Sequence, residues 1–136
     1  MADKAYKLEV VTPRKVVFSG DVISFSAPGV VGNFQVLYNH APMLTAIGIG
    51  EVKIQDLQGK ELHYATSGGF VEVRDNQVIL LAESAERSDE IDTTRAESSK
   101  ERASKRLTEK KPDTDLERAK ASLTRALNRI RIAHKV

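Results

Sequence analysis

The sequence predicts a mixed fold, β first and α second, in which residues 1–87 form a closed sheet or sandwich and residues 88–136 form a two-helix hairpin. The first observation is compositional. All eight glycines, four phenylalanines and three tyrosines lie before residue 80, whereas residues 88–136 contain no glycine, no aromatic and a single proline. Glycine and aromatic residues suit turns and half-buried strands, and their replacement by Ala, Glu, Lys, Arg and Ser signals continuous helix. The second observation is periodicity, which passes from short alternating apolar runs to apolar residues spaced by three and four. Both changes fall within Leu80–Ala96, LLAESAERSDEIDTTRA, the joint of the chain.

The strands can be placed in order. Tyr6, Leu8 and Val10 alternate with Lys7 and Glu9 until Thr12-Pro13 breaks the ladder. Val16–Phe18 and Val22–Ala27 flank Ser19-Gly20-Asp21, a spacing that predicts a hairpin. Pro28-Gly29 predicts a turn, Gly32–Tyr38 a further strand, and Asn39-His40-Ala41-Pro42 an interruption before the apolar run MLTAIGIG. Glu51–Gln55 leads into Asp56-Leu57-Gln58-Gly59, with Asp first and Gly fourth as a type I turn prefers. Leu62–Thr66, Gly69–Arg74 and Val78–Ala82 complete the series, the last two joined by Asp75-Asn76.

Ser88 or Asp89 can cap the first helix, with Asp89, Glu90 and Asp92 near its positive end. Ala96, Ser99, Ala103 and Leu107 form a narrow stripe that admits a second helix closely. Lys110-Lys111-Pro112 ends that helix and Asp113-Thr114-Asp115 offers a new cap. Leu116, Ala119, Leu123, Ala126, Ile130 and Ala133 then repeat as a coiled-coil seam. Two complementary stripes on either side of a short connection predict an antiparallel hairpin.

Composition narrows the function. No apolar run approaches the ~20 residues that span a bilayer, and MADKAYKLEV lacks a signal-peptide core, so a soluble cytosolic protein is expected. Without cysteine there is no disulfide, thiol nucleophile or cysteine metal site. His40, His63 and His134 lie far apart with no metal-ligand spacing, which favours structural roles over zinc or catalysis. Ser67-Gly68-Gly69 lacks the G-x-S-x-G frame and reads as a bulge, and no phosphate loop of either glycine-rich type is present. An enzyme, including a small esterase, therefore has no residues to rest on. Phe34, Val36, Leu37 and Tyr38 put apolar bulk beside turn residues, and two readings stay open for them: a docking edge or core strand positions.

Charge is divided unevenly. Residues 1–87 hold 8 basic and 10 acidic side chains, residues 88–136 hold 13 and 9. A basic arm suits nucleic acid, an anionic ligand or an acidic protein surface, and interspersed acids and the lack of stacking aromatics argue against the first. Arg118, Arg125 and Arg129 fall along one line of the second helix, and Arg95, Arg102 and Arg106 along the first. Folded together they can gather guanidinium groups around one anion with Asp92 as an acceptor, or form surface ion pairs with Glu97, Glu101 and Glu117.

From Leu8 to Ala133 the motifs VVTP, VFSGDV, HAPMLTAI, SGGFVEV, LLAESAER, IDTTRA and LTRALNRIRIA occur in order. In these the chain resembles the epsilon-subunit family of bacterial F-type ATP synthase. The resemblance implies a ten-stranded β-sandwich followed by two helices. It also implies a non-catalytic rotor subunit, peripheral on the cytoplasmic face of the plasma membrane and touching the membrane only through the complex. Its sandwich would bind the gamma subunit and the c ring, and its helices would inhibit ATP hydrolysis by reaching into the alpha/beta catalytic head. The family's G-E-L-G is replaced here by Gly32-Asn33-Phe34-Gln35, which removes a carboxylate from the expected ring contact. Ile91, Asp92, Arg95 and Ala96 of the I-D-x-x-R-A motif, with Glu86, Arg125 and Arg129, match the residues by which family members hold ATP. ATP as a regulatory ligand is the implied small molecule, with no required cofactor and no metal. The alternative is an interaction module whose basic arm binds some other anionic partner.

Overall fold

A computed structural model describes residues 4–135. Nine strands are formed among them: β1 (Tyr6–Val11), β2 (Val16–Gly29), β3 (Gly32–Val36), β4 (Met43–Ile47), β5 (Gly50–Asp56), β6 (Glu61–Thr66), β7 (Gly69–Arg74), β8 (Gln77–Ala82) and β9 (Ala85–Arg87). A 3-10 turn (Ser88–Glu90) leads to helices α1 (Thr93–Glu109) and α2 (Leu116–Ala133). Strand order is β1-β8-β7-β4-β2-β5-β6-β9, with β3 beside β2 and β1 also paired to β2. The ladder thus closes on itself, which leaves few bare edges.

The hairpin expected at Ser19-Gly20-Asp21 does not form. Those residues pair in register with Glu9, Leu8 and Lys7, so β2 runs on for 14 residues. Gly20 does not take a positive φ and supplies no reversal. Instead β2 shifts register between Val22 and Ser24, a bulge that lets one strand serve two layers. Its first half pairs with β1 and its second half with β3 and β5. Merging the two segments removes one strand and β9, which no pattern marked, adds one, so nine form among the described residues where the resemblance implied ten. The turn expected at Pro28-Gly29 falls one step later, around Val30 and Val31, since Gly29 is still paired with Gly32.

Other turns follow their residues. Gly59 donates to Asp56 O, while the Asp56 carboxylate accepts from the backbone of Gln58 and Lys60, both at 2.9 Å. Asp75 and Asn76 both adopt left-handed φ, 51° and 58°, as a two-residue β7–β8 hairpin requires. Gly69, φ +150°, has no room for a side chain, because an added Cβ would lie 2.1 Å from Leu81 O.

The alternating inward residues meet in one core. Leu8, Val22, Phe25, Val52, Ile54, Val71 and Leu80 are completely buried, each worth about 1.5–3 kcal/mol of transfer free energy. Phe34 packs edge-on against Phe25 with centroids 6.5 Å apart. Phe34 and Val36 therefore serve the core, as the core-strand reading expects, whereas Leu37 and Tyr38 stay largely exposed.

The helices pack antiparallel, with Ala96 and Ala103 of α1 and Ala119 and Ala126 of α2 buried. Small side chains on both faces allow this close approach. The first cap is Asp92 rather than Ser88 or Asp89, its carboxylate accepting from Arg95 N at 3.0 Å. Ser88 and Asp89 are taken up in the 3-10 turn. Asp115 caps α2 in the same way on Arg118 N. Lys110, in the left-handed region at φ 49°, closes α1.

Candidate functional site

α2 has a second buried face, directed at the sandwich, and the functional side chains cluster along it. Ile132 is fully buried against Ala65 of β6 and Ile91, forming a small core separate from that of the sandwich. Around this contact the joints are polar. Arg129 donates from Nε and Nη2 to the two carboxylate oxygens of Glu86 on β9, at 2.7 and 3.0 Å. Such a fork is the strongest hydrogen-bonded geometry an arginine makes. Asn128 donates to Gly50 O at 2.8 Å and accepts from Arg131 Nη2 at 2.6 Å. Beyond the helix end, Lys135 Nζ meets Glu51 Oε1 at 2.7 Å, while His63 Nδ1 donates to Glu51 Oε2 at 2.6 Å. Burial disfavours the Glu51 carboxylate, but the hydrogen bonds from Lys135 and His63 outweigh it and hold its pKa below the ordinary 4.5.

Between α2 and the β6–β7 and β8–β9 connections lies a narrow cleft of about 30 Å³, lined by Ala65, Thr66, Ser67, Ser84, Glu86, Arg125, Asn128 and Arg129. The Ser67 and Ser84 hydroxyls join at 2.6 Å across its sandwich side. Arg125 stands one helical turn before Arg129 and, among the described residues, its side chain makes only a 3.3 Å contact with Ser122 Oγ. Two guanidinium groups and one carboxylate leave the cleft net positive. Its hydroxyl and amide groups can both donate and accept.

Of the seven residues singled out by sequence, Glu86, Arg125 and Arg129 share this cleft. Ile91 is linked to it through Ala65. Asp92 is occupied with the Arg95 backbone as a helix cap, Ala96 is buried against α2, and the Arg95 side chain is exposed outside the cleft. The remaining arginines do not converge on one point. Arg106 and Arg118 flank a separate polar recess at the hairpin tip. Among the described residues Glu97 and Glu101 form no ion pair, and Glu117 meets Lys120 at 3.7 Å. The sequence reading missed Asn128, Glu51 and Lys135. Asn128 lies off the apolar seam, at a position where polarity reads as solvent exposure. The Lys135–Glu51 contact joins residues 84 apart in the chain. His63, expected to be structural, is held between Glu51 at 2.6 Å and Glu61 at 3.8 Å.

A sandwich with a folded helical hairpin clamped to its flank by the Arg129–Glu86 and Lys135–Glu51 ion pairs defines a two-part chain. Residues 5–88 match the family model for the ATP synthase delta/epsilon chain β-sandwich domain, and residues 89–134 match the model for the long α-helix domain. The chain belongs to the ATP synthase delta/epsilon family. It is 43% identical over 130 residues to the ATP synthase epsilon chain of Desulforamulus reducens, covering 96% of this chain and 98% of that one. With the epsilon chain of Pelotomaculum thermopropionicum it shares 50% identity over 110 residues, 81% of each chain. Its fold is also that of a chain in the Euglena gracilis mitochondrial ATP synthase structure containing OSCP, F1 and c-ring, with a TM-score of 0.77 at 22% identity. That match covers 89% of this chain and 76% of the other.

Proposed function

We propose that this chain is a non-catalytic central-stalk subunit that couples c-ring rotation to gamma and restrains ATP hydrolysis through its helical arm. The observation that carries the coupling role is an outward apolar row on the sandwich. Ala46, Phe70, Leu81 and Val11 are cross-strand neighbours on β4, β7, β8 and β1. Leu44 and Ile79 lie two residues along on the same face, on either side of Glu72. Leu44, Phe70 and Leu81 are 73%, 58% and 53% exposed. A contiguous apolar strip on a sheet that already owns a full core fits a permanent protein partner, and gamma is the partner assigned. The exposed Val30, Val31, Leu37 and Tyr38 are assigned to further contacts of the stalk, the c ring among them. None of the helices is long and apolar enough to cross a membrane among the described residues. Association with the cytoplasmic face through the complex is the placement proposed.

The arm is held mainly by polar contacts around a single large apolar anchor, Ile132, an arrangement suited to reversible docking. Once released, its basic faces can reach acidic surfaces of the catalytic head. ATP is the proposed ligand of the docked arm. Arg125 and Arg129 would meet the phosphates, with Arg129 exchanging Glu86 for phosphate oxygens. Ile91, Asp92, Arg95 and Ala96 would border the site from the start of α1. Because such a ligand binds only the docked arrangement, it favours the non-inhibitory arm by its differential affinity. A pull-down with gamma tests the docking face. Phe70→Asp should abolish capture while leaving the fold intact, and undiminished capture would refute this assignment. Titration calorimetry with ATP tests the ligand, and heat that is absent in the wild type or unchanged in Arg125→Ala and Arg129→Ala would refute the site.

A further inference from the structure

Asn128 is the only polar residue among those buried in the two helices, 5% exposed, and both ends of its amide are used. Its Nδ2 donates to the carbonyl of Gly50, the first residue of β5, and its Oδ1 accepts from Arg131 one turn away. A buried amide contributes less to docking than an apolar side chain of its size, but it demands one geometry, because a shift of α2 by one residue would orphan the amide and the Gly50 carbonyl together. The carbonyl is a fixed target: any side chain at position 50 would place its Cβ 2.6 Å from Pro28, so glycine and its close strand packing are retained there.

We infer that Asn128 is the positioning residue of the docked arm, setting the register of α2 on the sandwich and making that register reversible. When the arm leaves, amide and carbonyl are both hydrated, so the contact adds specificity without locking the arm down. Arg129, the next residue, meets Glu86 only at this register, and Arg125 is carried with it. In this last respect the inference rests on the nucleotide reading above.

The chain has no cysteine, so a dye pair on cysteines introduced at the exposed Lys15 and Lys105 reports arm position in the full-length protein. Asn128→Ala should lower the docked-to-released ratio roughly tenfold, the effect of orphaning a buried acceptor. Asn128→Asp keeps the acceptor for Arg131 but sets a carboxylate oxygen against the Gly50 carbonyl, so it should release the arm at least as far. The melting of the sandwich should stay unchanged in both, which separates loss of register from misfolding. Wild-type energy transfer in either variant would overturn the inference. If both variants release the arm while the wild type binds no ATP, the register role stands and the nucleotide reading falls.

Discussion

Arg129 of α2 grips both carboxylate oxygens of Glu86, at 2.7 and 3.0 Å, across a sequence distance of 43 residues. The fork joins the arm to β9, itself a three-residue strand on the edge of β6. It is partly solvated, the two side chains being 22% and 36% exposed, so screening limits its worth. Arg129→Ala or Glu86→Gln should each weaken docking of the arm by about 1 kcal/mol. Hydrogen exchange of the α2 backbone is the measurement, with faster exchange in α2 and unchanged exchange in β7 and β8. Equal protection in mutant and wild type would remove the ion pair from the account.

A pH response follows from Glu51. Its carboxyl is held below the ordinary 4.5 in the docked state by Lys135 and His63. A depressed folded-state value means that this stabilisation is present above about 4.5 and is lost as pH falls through the lower, docked value. Arm docking in the wild type should therefore weaken below that pH. Glu51→Gln should dock less well at neutral pH and lose the part of the acid response due to this group. An identical acid profile in wild type and variant would show that Glu51 does not contribute.

The sandwich should depend on Phe25 above any other single side chain. Completely buried and in edge contact with Phe34, it bridges the second half of β2 to β3 and β5. Phe25→Ala should cost about 3–5 kcal/mol in chemical denaturation. A loss under 1 kcal/mol would indicate that the core lies elsewhere.

Much of this architecture could be read from local pattern. Alternation at Tyr6, Leu8 and Val10 marks an inward face directly, and all three are buried. The small-residue stripes at Ala96 and Ala103, and at Ala119 and Ala126, likewise mark the helix–helix contact. The reading failed where tertiary pairing overrode local chemistry. Ser19-Gly20-Asp21 has the composition of a turn, yet β1 supplies Glu9, Leu8 and Lys7 opposite it and draws it into a ladder. Ala85–Arg87 has no strand pattern because β9 exists only through its pairing with β6. At the site, helical spacing alone put Arg125 and Arg129 on one line of α2, whereas Glu86, 39 residues before Arg125, was singled out by the resemblance to the family, and the fold brings the three together. Asn128 escaped notice because the face that buries it belongs to a contact 78 residues away in sequence.

Removal of residues 88–136 in reconstituted ATP synthase, with ATP hydrolysis measured beside proton pumping, tests the central claim most directly. The sandwich holds its own core, so the shortened chain should still assemble with gamma. The account predicts faster hydrolysis with pumping still coupled to it. Hydrolysis equal to that of the complete complex would contradict the arm's role as a brake, and loss of assembly would contradict the sandwich as the coupling unit.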